Sequence, residues 1–261
     1  MFKMSNLHSV RPVEEDEDED DVEYPDEEKP VLKMVGLKHS GTVNRLKYQL
    51  IGPTPVLAAW SETGAVSVWS VSGLLERLEM PGSEGSRDNT SPLQSFTGHG
   101  VEGYALDWSN TDIGVLASGD CSKNIHVWKP GDGGQWSVSE RAYSSHTSSV
   151  EDIKWSPNEK TVMASCSCGK TIKIWDIRAD PSKACMLTQG IVSGGDDGVV
   201  KVWDLRQFSC LSEPVTMFKH HQGPVTSVEW HHEDSSVFAS SGEDDQVTSL
   251  YVICRYSLLI V

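Results

Sequence analysis

The stretch His146–Asp176, HTSSVEDIKWSPNEKTVMASCSCGKTIKIWD, decides the fold of this chain. It contains a histidine followed by three short runs of apolar and β-branched residues, with Gly and Lys between the second and third runs. Such runs are typical of half-buried strands, and the Gly between them suits a tight turn. The stretch therefore predicts three consecutive strands, the last of which ends near Trp175.

The same pattern, a histidine followed by short strands of which the last ends in tryptophan, recurs along the chain with nearly constant internal spacing. The third strand ends at Trp69, Trp128, Trp175 and Trp203. A histidine precedes the first three of these units, at His39, His99 and His146, and His221 begins a further unit after Trp203. The distance from histidine to tryptophan is 30, 29 and 29 residues in the first three units, and Leu250 stands 29 residues after His221. A phrase with this period predicts four-stranded propeller blades.

The repeat spacing breaks in the unit that ends at Trp203. Trp203 follows Trp175 by only 28 residues, so the unit has no histidine and no first strand. About nineteen residues of the period are absent between positions 188 and 191. We therefore expect an open or distorted ring, with unpaired backbone groups at Val150–Trp155 or Ile191–Gly194.

The composition divides the 261 residues into three segments. Residues 1–30 are expected to be a disordered acidic segment, because residues 14–28 hold 12 acidic groups and no basic one out of a net charge of −16. Residues 31–250 hold about five recognisable blades, and residues 251–261 form an apolar tail that leaves the repeat. We interpret the chain as an all-β propeller that is incomplete relative to a seven-bladed ring; a divergent five-bladed ring is the alternative.

The sequence lacks the features of an exported or membrane-inserted protein. No apolar signal region opens it, no run of 18 apolar residues occurs, and six cysteines are too sparse for a disulfide scaffold. We therefore expect reduced cysteines, a cytosolic or nuclear location and no membrane partner.

Eight adjacent acidic residues form the clearest candidate binding segment. Like charges repel one another, so the run is expected to stay flexible and to bind basic proteins, with a solubilising linker as the alternative. Direct nucleic-acid binding is not expected, because it requires clustered Lys and Arg. The candidate residues are Glu14, Glu15, Asp16, Glu17, Asp18, Glu19, Asp20 and Asp21.

The repeated phrase resembles the WD40 repeat over roughly residues 36–250, and two units carry the Trp-Asp pair, at Trp175-Asp176 and Trp203-Asp204. In that family a His, a Ser or Thr, a turn Asp and the Trp form a buried hydrogen-bonded set within a blade. The resemblance implies such a structural role for His99, His146, His221, Asp197, Asp244, Trp69, Trp128, Trp175 and Trp203. Gly169 and Ser122 occupy the turn position without providing a carboxylate. The hydrogen-bonded set is therefore expected to hold their blades less rigidly.

Further motifs resemble one family of WD40 proteins in particular. The acidic block runs into KPVLKMVGLKH (Lys29–His39), and AWSETG (Ala59–Gly64) and GYALDWS (Gly103–Ser109) follow. In this order they resemble the glutamate-rich WD-repeat protein family. The resemblance implies a non-enzymatic scaffold of the nucleus and nucleolus that chaperones histones and ribosomal proteins during ribosome biogenesis and histone handling.

Two units also end in Trp-Asp-x-Arg, with Arg178 and Arg206. This tetrapeptide resembles the box through which WD40 adaptors dock on the linker of cullin-4 ubiquitin ligases, and Arg can pair with a carboxylate on such a partner. The alternative function is therefore that of a substrate receptor, although many WD40 blades end this way without docking a partner.

No motif for a cofactor, a metal or a catalytic set stands out. Gly169-Lys-Thr171 lacks the second glycine and the helix of a phosphate-binding loop. Cys166 and Cys168 do not have the spacing of zinc ligands and are interpreted as reduced core cysteines. Because every candidate histidine has a place in the repeat, we expect neither an enzyme nor a bound cofactor.

Overall fold

The computed structural model describes residues 2–5, 31–80, 87–88, 90–169, 171–186, 190–204, 214, 216–230, 237–251 and 258–260. Within these ranges the chain forms short strands, the helix α1 (Ser72–Glu79) and a 3-10 turn (Asp132–Gly134). The strands are β1 (Phe2–Ser5), β2 (Val31–Met34), β3 (Gly36–Leu37), β4 (Val43–Ile51), β5 (Thr54–Ser61), β6 (Val66–Ser70), β7 (Arg87–Asp88), β8 (Gln94–Phe96), β9 (Ala105–Trp108), β10 (Leu116–Gly119), β11 (Ile125–Pro130), β12 (Trp136–Val138), β13 (Val150–Trp155), β14 (Val162–Ser167), β15 (Thr171–Asp176), β16 (Cys185–Met186), β17 (Gly190–Ser193), β18 (Val199–Asp204), β19 (Thr216–Lys219), β20 (Val225–Trp230), β21 (Val237–Gly242), β22 (Val247–Tyr251) and β23 (Leu258–Ile260).

Five sheets follow one another along the chain as propeller blades. Blade 1 has the order β4–β5–β6–β8, blade 2 β9–β10–β11–β12 and blade 3 β13–β14–β15–β16, and blade 5 has three strands, β20–β21–β22. The first strands of blades 1, 2 and 3 lie side by side as inner strands. The prediction of an all-β, incomplete propeller is therefore confirmed.

The blades define two faces of the array, because their strands alternate in direction. Loops between second and third strands, and loops between blades, leave from the face that we call the upper face. Loops between first and second strands, and between third and fourth strands, leave from the lower face.

Blade 4 obtains its fourth strand from the C-terminal tail. Its order is β19–β18–β17–β23, and β23 runs parallel to β17 with Ile191 opposite Leu258 and Ser193 opposite Ile260. The strand lies near both β13 and β20, so it takes the inner position of this blade. The expectation that the Ile191–Gly194 edge stays unpaired is wrong, because a distant segment supplies the partner that local sequence lacks.

Two short sheets and α1 lie next to blade 1. Leu74 and Leu78, one turn apart on α1, pack with Val35 and Trp69 against blade 1. β3 pairs with β7, and β1 pairs with β2, so residues 2–5 do not belong to a disordered segment. The rest of residues 1–30 lies outside the described part of the chain. Within the described residues, no helix has the length and apolar character needed to cross a bilayer.

Candidate interaction surface

Blade 2 contains a continuous chain of four hydrogen-bonded, buried side chains. The Trp128 indole N–H donates to Ser118 Oγ at 2.9 Å, and Ser118 Oγ lies 2.8 Å from His99 Nε2. His99 Nδ1 lies 2.8 Å from Asp120 Oδ2. All four groups are satisfied when Ser118 donates to His99 and His99 donates to Asp120.

Asp120 provides the carboxylate that Ser122 does not, so the expectation that blade 2 lacks this group is wrong. Asp120 Oδ1 also accepts a hydrogen bond from the backbone N–H of Asn124 at 2.9 Å, which fixes the loop on the upper face. Burial opposes ionisation, but the hydrogen bonds from His99 and Asn124 hold the pKa of Asp120 below its ordinary value.

Blade 5 has the same arrangement except for the tryptophan. His221 Nε2 lies 2.8 Å from Ser240 Oγ, and His221 Nδ1 lies 3.0 Å from Asp244 Oδ1. Leu250 stands in the tryptophan position and packs against the cluster that contains Phe238. The histidine therefore connects the second strand of blade 5 to an upper-face turn.

Blade 3 keeps the tryptophan and serine but has a hydroxyl in place of the carboxylate. Trp175 donates to Ser165 Oγ at 2.8 Å, and Ser165 Oγ lies 2.6 Å from His146 Nε2. His146 Nδ1 meets Thr171 Oγ1 at 3.1 Å. Burial, with a smaller contribution from Lys173, lowers the pKa of His146 to about 4, so this histidine is neutral near pH 7.

Gly169 explains why blade 3 has no turn carboxylate at the position that Asp244 fills in blade 5. A Cβ atom at Gly169 would lie 2.4 Å from Thr147 Oγ1, closer than real Cβ contacts allow. A side chain at this position would require the Thr147 side chain to move, and Thr171 contacts His146 instead.

Blade 1 has the histidine and tryptophan but not the connection between them. By strand register Ala59 occupies the place of Ser118, and Trp69 Nε1 is buried without a hydrogen-bond partner. His39 is half-buried, and its Nδ1 lies 3.0 Å from the Gly41 carbonyl. Its ring packs against Trp69 with 5.5 Å between centroids.

In blade 4, Asp197 forms a local turn rather than a network. Its Oδ1 accepts from the Val199 backbone N–H at 3.1 Å, and its Oδ2 lies 3.4 Å from Lys201 Nζ. The unit has no histidine for Asp197 to bind, and the side chain of Trp203 lies outside the described residues.

Within the described residues, the loops on the upper face hold more exposed acidic than exposed basic side chains. The exposed acidic residues there include Glu62, Glu102, Asp196, Glu243 and Asp245, and the exposed basic residues include Lys38, Lys123 and Arg141. This distribution gives the upper face a negative potential that attracts cationic segments.

Near blades 2 and 3 the upper face combines carboxylates with an aromatic ring. Tyr104 is partly exposed beside Glu102, whose charge raises the tyrosine pKa. Cys168 donates its thiol hydrogen to Glu151 Oε1 at 3.1 Å, and this bond raises the pKa of Cys168 to about 11. Cys168 is exposed, so its interpretation as a core cysteine is wrong, whereas Cys166 is partly buried.

Charged side chains alternate in sign along the inner strands. Lys47 Nζ of blade 1 lies 3.5 Å from Asp107 Oδ1 of blade 2, and Asp107 Oδ2 accepts from the Trp155 N–H of blade 3 at 2.9 Å. Lys154 Nζ of blade 3 lies 3.7 Å from Glu229 Oε2 of blade 5. Burial raises the pKa of Asp107 to about 6, although Lys154 and Lys47 oppose the shift.

Arg178 lies on the lower face and is paired within its own motif. Its guanidinium Nε and Nη2 both contact the Asp176 carboxylate, and most of the Arg178 side chain is exposed. This hydrogen bonding lowers the pKa of Asp176 to about 2. Arg206 and the acidic run Glu14–Asp21 lie outside the described residues.

The repeated blades and their His–Ser–Trp sets define a β-propeller repeat protein of the interaction-scaffold class. The family pattern "WD domain, G-beta repeat" matches residues 90–129, 137–176, 181–204 and 212–248. The chain therefore belongs to the WD40 family.

Relatives in other organisms carry names that concern ribosome assembly and histones. The chain is 34% identical over 274 residues to "Ribosome assembly protein rrb1" of Schizosaccharomyces pombe, covering 95% of this chain and 56% of that protein. It is 38% identical to the Dictyostelium discoideum "Glutamate-rich WD repeat-containing protein 1", covering 48% and 25%. It is 27% identical to "Histone acetyltransferase type B subunit 2" of Aspergillus fumigatus, covering 59% and 34%. The chain thus spans about half the length of the first relative and less of the others.

Proposed function

We propose that this chain is a non-catalytic scaffold that binds basic segments of client proteins on its upper face. The cluster of Glu102, Tyr104 and Glu151 carries this proposal, because it places carboxylates for Lys or Arg beside an aromatic ring that accepts a cation. The networks of blades 2 and 5 hold the neighbouring turns in place, so the face is preorganised.

The acidic run Glu14–Asp21 supplements this face in the proposal. Eight carboxylates attract a cationic client over about 10 Å at 0.1 M salt and compete with nucleic acid for it. The folded face then selects the bound segment through short-range contacts. Binding of this kind requires no bond-making step, which agrees with a scaffold rather than an enzyme.

The names of the relatives support ribosomal proteins and histones as the clients. Both classes are rich in Lys and Arg and must be kept from nonspecific contact with nucleic acid. We therefore propose a chaperone role in ribosome biogenesis and histone handling, located in the nucleus and nucleolus.

Two separate variants test the roles of the upper face and of the acidic run Glu14–Asp21 in binding. Deletion of residues 14–21 should weaken binding of a basic ribosomal protein at low salt and leave the melting temperature unchanged. The double variant Glu102→Gln, Glu151→Gln should weaken binding also at higher salt, where long-range attraction is screened. Asp132→Asn, an exposed change on the lower face, serves as the control. Unchanged affinity in both test variants, measured by calorimetry, would contradict the proposal.

A second candidate function is that of a substrate receptor for a cullin-4 ubiquitin ligase. The observation that favours it is the exposed Arg178 guanidinium, which Asp176 holds in one orientation on the lower face. Arg178→Ala should abolish copurification of the ligase linker without affecting basic clients, and Lys183→Ala on the same face is the control. Recovery of the linker with Arg178→Ala would exclude docking through this residue.

A further inference from the structure

A groove with a volume of about 540 Å³ lies on the outer side of the seam between blades 2 and 3. One wall is the connection from β12 to β13, which contributes Arg141, Ser144 and Ser145. The other wall is the connection from β15 to β16, which contributes Asp180 and Ser182. Blades 2 and 3 each have four strands and each has a neighbouring blade on both sides, so the groove does not arise at an uncovered end of the array. We call it the seam groove.

The preceding seam, between blades 1 and 2, shows how the same place is filled elsewhere in the molecule. Gln94 and Arg141 each stand five residues before a blade histidine, so Gln94 is the counterpart of Arg141. The Gln94 side-chain amide donates to the Trp136 carbonyl at 2.8 Å and accepts from the Trp136 backbone N–H at 2.6 Å. Trp136 is 9% exposed and belongs to the apolar core of that seam. A neutral amide and a buried indole therefore fill the place that the groove occupies in the next seam.

Lys183 takes the place of Trp136 at the seam groove. The third-strand tryptophan pairs with Val138 in blade 2 and with Cys185 in blade 3. Trp136 and Lys183 each lie two residues before that partner. Because Lys183 is exposed, its position carries a solvent-accessible charge where the preceding seam has a buried ring.

A third cation, Lys173, lies where blade 2 has His126, since each stands two residues before the third-strand tryptophan. Burial lowers the pKa of His126, so this histidine is neutral near pH 7. Lys173 Nζ donates to Ser145 Oγ at 3.0 Å, which places the ammonium group beside the wall of the groove. Arg141, Lys173 and Lys183 thus supply three positive charges at positions where the preceding seam is neutral.

The carboxylate of Asp180 holds Arg141 only weakly. Asp180 Oδ2 lies 3.5 Å from Arg141 Nη1, and the two side chains are 48% and 82% exposed, so water screens this pair. Asp180 Oδ1 accepts from the Ser182 backbone N–H at 3.0 Å and from the Ser182 hydroxyl, so its own turn fixes the carboxylate. A guanidinium has five N–H donors, and contact with one oxygen leaves others for a second acceptor.

From the shape of the seam groove and its three cations, we propose that it binds a phosphorylated serine or threonine of a partner protein. A phosphate monoester carries nearly two negative charges and three acceptor oxygens near pH 7, which suits an arginine, two lysines and the hydroxyl of Ser144. A carboxylate offers one charge and two oxygens, so it matches fewer of these donors. A nucleic acid needs a longer row of cations and is repelled by the net charge of −16. The site is separate from the acidic upper face and takes a ligand of the opposite charge.

A pair of matched double variants tests this assignment. The probe is a fluorescent peptide of Gly and Ala with one central phosphoserine, and its anisotropy is followed as the chain is added. Arg141→Gln, Lys183→Gln removes two of the three cations, whereas Lys129→Gln, Lys160→Gln removes the same charge outside the groove and is the control. All four side chains are exposed, so the melting temperatures should match that of the unchanged chain.

The unchanged chain and the control should bind the phosphopeptide and not its unphosphorylated form. The groove variant should bind it at least about tenfold more weakly, because hydrogen bonds to a charged group are lost. Glu102→Gln, Glu151→Gln on the upper face should not weaken this binding, which separates it from the binding of basic clients. Absence of binding by the unchanged chain, or equal affinity of the groove variant and the control, would overturn the proposal. Single-stranded RNA that competes equally well per phosphate would also overturn it, since that result indicates a general polyanion surface.

Discussion

Blades 1 and 2 both carry the histidine and tryptophan of the repeat, yet only blade 2 connects them. There Ser118 accepts from Trp128 and contacts His99 within the core. In blade 1, Ala59 has no hydroxyl, so Trp69 Nε1 is left without a partner and the histidine turns to a local backbone carbonyl. The difference shows that histidine and tryptophan mark a blade in the sequence, whereas the serine decides whether they form a network.

The largest effect should come from breaking the network of blade 2. Ser118→Ala leaves Trp128 Nε1 and His99 Nε2 buried without their partner, and each such loss costs about 1–3 kcal/mol, so the free energy of unfolding should fall by about 3 kcal/mol. Denaturant unfolding measures the change. Ser137→Ala, at an exposed position in the same blade, should stay within about 0.5 kcal/mol of the parent. Equal effects of the two substitutions would mean that the network does not stabilise blade 2.

The next largest effect is the pH dependence of stability that blade 3 causes, because its histidine has no carboxylate beside it, whereas the histidine of blade 2 has one. The pKa of His146 is about 4 in the folded chain and about 6.5 in the unfolded chain. The contribution of neutral His146 to the free energy of unfolding is therefore fully present above pH 6.5 and is lost as the pH falls toward 4. The loss is at most about 1.4 kcal/mol per pH unit. Thr171→Asp gives His146 Nδ1 a carboxylate, so it should reduce this dependence.

The pH dependence of stability must be compared between variants rather than read from the parent alone. The pKa of Asp107 is raised to about 6, and this shift changes the stability with pH in the direction opposite to that of His146. Protonation of Asp107 in the folded chain adds stability as the pH falls below that value. Thr171→Val, which has neither hydroxyl nor charge, is the matched control. The melting temperature is measured against pH between pH 4 and 6.5. If its slope is the same for Thr171→Asp and the parent, residue 171 does not control the pKa of His146.

The smallest effect should come from supplying blade 1 with what it lacks. Ala59→Ser places a hydroxyl where Ser118 stands in blade 2, within reach of the unpaired Trp69 Nε1. A new buried hydrogen bond contributes about 1 kcal/mol, so a gain of that size in the free energy of unfolding is expected. Ala58→Ser, whose side chain points to the opposite side of β5, should instead destabilise the chain. A loss of stability in Ala59→Ser would show that blade 1 has no room for the network.

Most blades could be predicted from the sequence, because each repeats a local pattern of strand, turn and tryptophan. The source of the blade 2 carboxylate could not, since Asp120 lies two residues before the position that aligns with Asp244 and reaches the same histidine nitrogen. The strand that pairs with β17 could not be predicted either. The repeat period describes only local spacing, so it does not indicate that residues 258–260 pair with β17 in blade 4. The acidic upper face emerged only when loops far apart in sequence were brought to one side.

The parallel pairing of β17 with β23 also has a consequence for synthesis of the chain. The ribosome makes β17 before any of blade 5, whereas β23 follows the whole of that blade. At about 5–20 residues per second, blade 4 spends several seconds with its inner edge open while blades 1 to 3 have their strands. Folding during translation therefore reaches blade 3 and pauses, and this interval is when a ribosome-bound chaperone has an exposed strand edge to protect.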